Sequence, residues 1–273
     1  NYDRPEPLFL VLSVEPPHFP LDVDEKFKRL DPEKLKVRPN FGVRSDFFPT
    51  VPEIAHSELR QMLANYYACI ENLDWNIGRL MESVAAQPDF GDDTMTVYFA
   101  DHGDYVGSHG LDTTKIQHHE ESVRIPTLFH WPNGIKPQGN RDELFSLVDL
   151  FATTLDMAGV RVPVHNQGTS FAPALRQEEF VGPEAILLEM VNNPRWNLRF
   201  LDWRGMVTTN YKYAYCETGR EELFDLNDDP YELDNLSTRK PDVLADMRSR
   251  LLALLETTRE PYFDVLIEHG VPA

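Results

Sequence analysis

Cysteine is nearly absent: Cys69 and Cys216 are the two in 273 residues. Two thiols cannot make the disulfide framework of a small secreted scaffold, and they fix neither a compartment nor a pairing. Basic residues are scarce too. Twenty-six Lys and Arg face 45 Asp and Glu, a formal net charge of −19, which argues against a nucleic acid partner because binding phosphate backbones requires a basic surface. A local cationic pocket for a small anion is compatible with that balance. No apolar run approaches the roughly 20 residues of a membrane span. The opening NYDRPEPLFL lacks the basic segment, apolar segment and small-residue cleavage site of a signal peptide. No internal repeat or low-complexity tract is visible. What remains, 41% hydrophobic and 26% charged residues, is an ordinary globular composition, enough for one large domain or one domain and a smaller one.

The most informative stretch is Thr94 to Pro126, TMTVYFADHGDYVGSHGLDTTKIQHHEESVRIP. Its apolar run, Met95 to Ala100, is rich in β-branched and aromatic residues and reads as a buried strand, most often one in a parallel sheet. The run stops at Asp101-His102-Gly103, and ligands of open α/β sheets gather at the carboxyl ends of strands. A carboxylate and an imidazole therefore leave the core side by side. Gly103, Gly107 and Gly110 suit tight backbone paths, and His109, Lys115, His118, His119, Glu120 and Glu121 add further potential ligands and proton carriers. A second buried-strand run, Leu8 to Val14, ends in Glu15-Pro16-Pro17-His18, so two strand ends carry His or Asp. Residues 19 to 55 have no clear period and read as a long irregular excursion, of the kind that often lines a cleft.

Ser57 to Ala86 has apolar residues at three- and four-residue spacings from Leu59 to Val84, with Ser57 as a fair N-cap, Glu58 in the first turn and Pro88 beyond the end. Its aromatic stripe and Cys69 read as core. Strand, helix, strand is the grammar of a parallel sheet. Thr127 to Trp131 predicts a short strand, Phe145 to Ala158 a helix ended by Gly159, Phe171 to Leu175 a helical piece, and Ala185 to Val191 a strand. Short strands at Leu198–Leu201, 206–209, 211–215 and 222–225, then a helix from Pro241 with Leu244, Met247, Leu251, Leu254 and Leu255 on one face, are antiparallel in character. A boundary is expected near residue 183. Asp225 to Asp229 imitates the start of a calcium loop, but Pro230 replaces the required Gly and Leu236 the closing Glu; the acidic run to Asp234 reads as a solvated face.

With these residues in place, the chain resembles a type I sulfatase of the alkaline-phosphatase-like superfamily. LFLVLSVEPPHFP resembles the family's strand leading to a Pro-His pair, and LANYYACIENLDWNIGRLMES its tyrosine-rich helix. VYFADHGDYVGSHGL, Lys115 and HEESVRIPTLFHWPNGI resemble its metal and sulfate segment, while FSLVDLFATTLDMAGV, YKYAY and ELFDLNDDPYELDNL resemble its later pieces. The resemblance implies an α/β fold: a mixed, mainly parallel sheet between helices, then a small antiparallel sheet with a packed helix. On that reading residues 1–182 are the C-terminal portion of the large α/β domain and 183–273 a small C-terminal α+β subdomain.

The resemblance also implies hydrolysis of a sulfate ester, expected on a carbohydrate or similar small ester. Asp101 and His102 match the family's second pair of metal ligands, His18 the histidine placed at a sulfate oxygen near the leaving group, and Lys115 the lysine that contacts sulfate. A divalent metal is implied, Ca2+ as is usual in the family, although an imidazole ligand would suit Mn2+ or Zn2+. Gly110 and Lys115 are separated by one residue more than in the common pattern, His119 stands where the family usually has Tyr, and His109 and His118 suit either a substrate contact or a loop-stabilising role. The family's nucleophile, a formylglycine made within C/S-x-P-S-R, has no counterpart here, nor has the first pair of metal-binding aspartates. The nucleophile is therefore expected from a missing N-terminal part of the same enzyme. Two rivals stand beside this reading: a phosphonate monoester or phosphodiester hydrolase of the same superfamily, and a non-catalytic sulfate- or glycan-binding relic.

Overall fold

The computed structural model describes residues 6–44, 53–88, 90–191 and 202–270. The apolar period of residues 59 to 84 forms α1, His56–Ala85. Ser57 does not cap it: the N-cap position is Ala55, with no side-chain hydrogen bond, because the helix starts one residue before the serine. Only one stripe of α1 is covered. Ala68 and Cys69 pack against Val23 and Phe27 of the preceding excursion, which forms two single 3-10 turns, Glu25–Phe27 and Pro32–Lys34. Tyr67, Ile70, Trp75 and Leu80 stay exposed, so the aromatic stripe is not wholly core.

Two expectations for the first half need correction. Leu8 to Val14 forms no strand among the described residues; its side chains lie open, with Phe9 80% exposed. An extended segment buries its two faces only when neighbours pair and cover it, and none does so here. The Met95–Ala100 run does form β1, Thr96–Phe99, but it is half-buried and pairs antiparallel with β2, Thr127–His130, in the register Thr96↔His130 to Phe99↔Thr127. The long loop between them turns the chain back on itself, so β2 returns beside β1. Near β2, Phe129, Phe145, Phe171 and Phe180 form a chain of ring contacts with centroids 4.7 to 5.9 Å apart. This chain ties β2 to the segments around α3, Leu147–Met157, and α4, Ala172–Leu175. The buried Asp149 fixes the start of α3 by accepting from the Ser146 backbone N–H at 2.8 Å and from that of Thr169 at 2.7 Å.

The second half holds an antiparallel sheet of β3, Ile186–Met190, β4, Trp203–Val207, β5, Tyr211–Cys216, and β6, Glu221–Asp225, paired in that order. The expected strand at Leu198–Leu201 lies outside the described residues. One face packs on α5, Pro241–Thr258, and α6, Tyr262–Glu268. Met206, Tyr213, Tyr215 and Leu223 from the sheet meet Leu244, Met247, Leu251, Leu255 and Leu266 from the helices, all buried. At roughly 1.5–3 kcal/mol for each fully buried large apolar side chain, this is the principal apolar core among the described residues. The other face carries Trp203, Lys212, Ala214, Cys216, Glu222 and Phe224, and it is buried as well, against the loop that follows β1.

Candidate active site and the polar cluster behind it

The loop after β1 is held by backbone geometry that glycine permits. Gly103 donates to the Ser122 carbonyl at 2.8 Å, and a Cβ there would meet the Glu121 carbonyl oxygen at 2.1 Å. Gly107 has φ +101°, and a Cβ there would lie 2.2 Å from the Phe41 ring. Residues 38 to 42 of the excursion are pinned on this loop: Gly42 donates to the Gly107 carbonyl at 2.8 Å and His109 to that of Asn40 at 2.9 Å. The irregular excursion thus packs on this loop through residues 38 to 42.

The Asp101 carboxylate stands in the open, its side chain 82% exposed, with Oδ2 3.5 Å from His102 Nε2. Its Oδ1 accepts from the His102 backbone N–H at 3.0 Å, and His102 Nδ1 is 3.1 Å from the Gly103 carbonyl. His18 is exposed in a turn closed by its own N–H on the Glu15 carbonyl, with Nδ1 2.6 Å from the Phe19 carbonyl. Lys115 is half-buried, and its carbonyl accepts from the Ser122 hydroxyl. The charges of these residues all act on one carboxylate that the sequence analysis does not single out, Asp104. Burial pushes its carboxyl up; the charges of Lys115, His102 and His18 oppose that shift, and Asp101 adds to it. Asp104 Oδ1 is buried and makes no hydrogen bond. The charges at 18, 101, 102 and 115 therefore act on one half-buried carboxylate. Tyr66 of α1 is within range as well: burial, then Asp104, raise its phenol far above the usual value.

A second polar cluster lies on the inner side of the loop, against the sheet. His109, His118 and His119 are buried, with ring centroids of 4.0 Å for His109–His119 and 4.4 Å for His118–His119. The short α2, Glu120–Val123, adds Glu121, which accepts from Arg38 Nη1 at 3.0 Å and Asn40 Nδ2 at 2.9 Å and lies 3.8 Å from His109 Nε2. Lys212 of β5, wholly buried, reaches Glu120 at 2.6 Å and Glu232 at 2.8 Å. Burial opposes its charge, but Glu232 and Glu120 outweigh that and hold the ammonium above its usual range. Glu232 also accepts from the Glu120 backbone N–H at 2.7 Å. It belongs to the run read as a solvated face; Glu232 and Asp225 are in fact buried, because Lys212 and Lys240 meet them. Trp203 closes the contact by donating its indole N–H to the Ile116 carbonyl at 2.8 Å.

Among the described residues two triads bring three ligand atoms within 4.8 Å of one another, His118, His119, Glu222 and His109, Glu121, Glu232. Asp101 and His102 belong to neither and, among the described residues, find no third His, Cys, Asp or Glu at that reach. The chain therefore carries residue groups able to hold a divalent metal, and the exposed pair supplies two donors, one oxygen and one nitrogen. No helix among the described residues is long and apolar enough to cross a membrane.

Residues 2–160 match the sulfatase family, and residues 107–259 match the C-terminal part of N-sulphoglucosamine sulphohydrolase. The chain belongs to the sulfatase family. It is 26% identical over 286 residues to an endo-4-O-sulfatase of Bacteroides thetaiotaomicron, covering 96% of this chain and 54% of that protein. The sulfatase yidJ of Bacteroides fragilis superposes with a TM-score of 0.77 at 28% identity, over 92% of this chain and 54% of its own. A structure in complex with its substrate D-glucosamine-2-N,6-O-disulfate superposes with a TM-score of 0.65 at 28% identity, over 77% of this chain and 42% of its own. A phosphonate monoester hydrolase of Silicibacter pomeroyi, TM-score 0.72 over 92% of this chain and 55% of its own, is 20% identical and shows a shared fold alone. The chain spans about half the length of the curated relatives it matches. Its fold is alkaline-phosphatase-like, with helices, the β1–β2 pair and the C-terminal sheet with its helix; the strand pairings within the described residues are antiparallel.

Proposed function

We propose that this chain is the C-terminal part of a metal-dependent sulfatase that hydrolyses a sulfate ester on a carbohydrate. The observation that carries the reading is the match of residues 2–160 to the sulfatase family, with the charges of His18, Asp101, His102 and Lys115 all acting on Asp104 after β1. Residues 1–182 form the C-terminal portion of the large α/β domain and 183–273 the small subdomain. The nucleophile, a formylglycine, belongs to sequence outside this chain, since C/S-x-P-S-R does not occur in it. The exposed apolar side chains of residues 8 to 14, with Tyr67 and Ile70 of α1, support a further packed part, because so large an apolar surface is unusual on a free monomer.

Asp101 and His102 would hold the metal, calcium by family habit; bound there, it would supply positive charge to the sulfuryl oxygens. The open Asp101 carboxylate fits a calcium shell, whereas the His102 imidazole beside it suits Mn2+ or Zn2+ better. Lys115 would place an ammonium on the same oxygens, in a site where oriented charges act more strongly than in water. His18 would protonate the departing alcohol oxygen.

The test uses the full-length protein with aryl sulfate, aryl phosphonate and 6-O-sulfated glucosamine. Sulfate esters are the expected substrates, and a preference for phosphonate or phosphodiester overturns the assignment. His18→Ala is expected to lower kcat about 10²–10⁴-fold on the sugar sulfate and far less on an aryl sulfate whose phenolate leaves unaided. Equal losses on both would remove His18 from the proton-donor role. Metal analysis checks calcium: a stoichiometric transition metal at Asp101 and His102, without calcium, overturns that choice.

A further inference from the structure

The inner cluster contains a group that the sulfatase reading does not use. His119 is fully buried, and its Nε2 makes no hydrogen bond. Its Nδ1 lies 2.8 Å from the Tyr105 hydroxyl, which orients the ring so that Nε2 faces β6. Opposite stands Glu222, with Oε2 3.6 Å from His119 Nε2 and 2.8 Å from His118 Nε2. We propose that His118 Nε2, His119 Nε2 and Glu222 Oε2 bind one zinc ion, which fastens the loop after β1 to the C-terminal sheet.

Three observations converge on this. The ligand atoms lie within 4.8 Å of one another, and two donors each about 2.0–2.2 Å from a tetrahedral zinc sit roughly 3.3–3.5 Å apart, so small side-chain adjustments complete the geometry. Two imidazoles and a carboxylate suit zinc and not calcium. A hydrogen bond from the far ring nitrogen is the usual way a metal-binding histidine is oriented, and Tyr105 sits where that bond is needed. Burial, with His118, His109 and Lys212 nearby, also keeps His119 neutral, the form that ligates.

In the other triad both carboxylates already meet cations or N–H donors. Glu121 is engaged by Arg38 and Asn40, and Glu232 by Lys212 and the Glu120 N–H. Trp203 and Phe224 flank the proposed site, with ring centroids 5.5 and 6.2 Å from that of His118, and with three protein ligands the ion would take a water as its fourth. The inference does not rest on the roles given to Asp101 and His102.

The experiment takes the full-length protein, strips it with chelator, titrates it with Zn2+ alone and follows zinc content after dialysis together with Tm. One retained equivalent and a higher Tm are expected. The double variant Asp101→Asn/His102→Ala should keep that zinc, which separates this site from the exposed pair. Tyr105→Phe removes one hydroxyl and should weaken zinc about 10–100-fold; His119→Gln should abolish retention. Should His119→Gln fail to fold, anomalous scattering at the zinc edge from wild-type crystals decides, with a peak between His118, His119 and Glu222 expected. No retained zinc, retention unchanged in Tyr105→Phe, or a peak elsewhere overturns the proposal.

Discussion

Tyr213, Tyr215 and Leu223 point from the sheet toward α5, whereas Lys212, Ala214 and Glu222, their neighbours along the same strands, point toward the loop after β1. Both faces are buried, but the loop face sets Lys212 and Glu222 among Trp203, Ala214, Cys216 and Phe224, where the α5 face is apolar. The α5 face is held by apolar area, which is non-directional and tolerant of detail. The loop face adds charges that have to meet opposite charges, because an unpaired buried charge costs several kcal/mol. One sheet thus carries a core that stabilises and, back to back with it, a polar layer that positions the loop bearing Asp101, His102 and Lys115.

Substitutions on the two faces probe this contrast. Lys212→Met should have the largest effect, a loss of about 3–5 kcal/mol, because it leaves Glu232, also wholly buried, without its cation. Adding Glu232→Met should recover at least half of the loss in denaturant unfolding; simple additivity would show that the two are not coupled. On the opposite face Leu255→Ala should cost about 2–5 kcal/mol by leaving a cavity in the core that includes Met247 and Tyr213. A loss below 1 kcal/mol for Lys212→Met would mean that the polar face is incidental to folding. Trp203→Phe is milder, about 1 kcal/mol, since it removes the single hydrogen bond to the Ile116 carbonyl. It should also raise amide exchange in residues 115 to 118 before it lowers Tm.

The contrast also explains what could be read in advance. Met247, Leu251 and Leu255 recur at helical spacing behind Pro241, and Tyr211-Lys-Tyr-Ala-Tyr215 alternates as a strand does, so the α5 face was legible from local period. The same alternation hid the loop face. Lys212 reads as a solvent-facing residue until its partner Glu120, 92 residues away, is brought to it by tertiary packing. Glu232 was lost in an acidic run for the same reason. Asp104 stood in plain view beside the D-H-G triplet, and its signal was present in one respect: it is the next carboxylate after a strand-end pair. Its partial burial within the field of Lys115, His102 and His18 depends on separate segments coming near one another. The mistaken strand at Leu8–Val14 has a complementary cause, since apolar composition reports a demand for burial, and pairing depends on neighbours that local sequence does not specify.

The smallest expected effect separates the two faces by pH. Burial lowers the affinity of His109 and His119 for protons, and His118 and Lys212 lower both further, while Glu121 and Glu222 oppose the shift at His109. The unfolded chain, with imidazoles near their ordinary value of about 6.5, therefore binds more protons than the folded one as pH drops. Stability must fall as pH goes from 7 toward 5, by on the order of 1 kcal/mol for each histidine held one unit below that value. Glu121 acts in a different window: its carboxyl is held below the usual range by Asn40, His109 and Arg38 against the effect of burial, so its contribution is present above about pH 4.3 and is lost only below it. Urea unfolding of chelator-treated protein at pH 7, 6 and 5 should show the decline, and His119→Phe should flatten it. The α5 face contains no buried histidine among the described residues, so Leu255→Ala should shift the whole curve down without changing its slope. If the slope between pH 7 and 5 is the same in His119→Phe and wild type, the buried imidazoles are not neutral in the folded state, and the loop face is held by ion pairs alone.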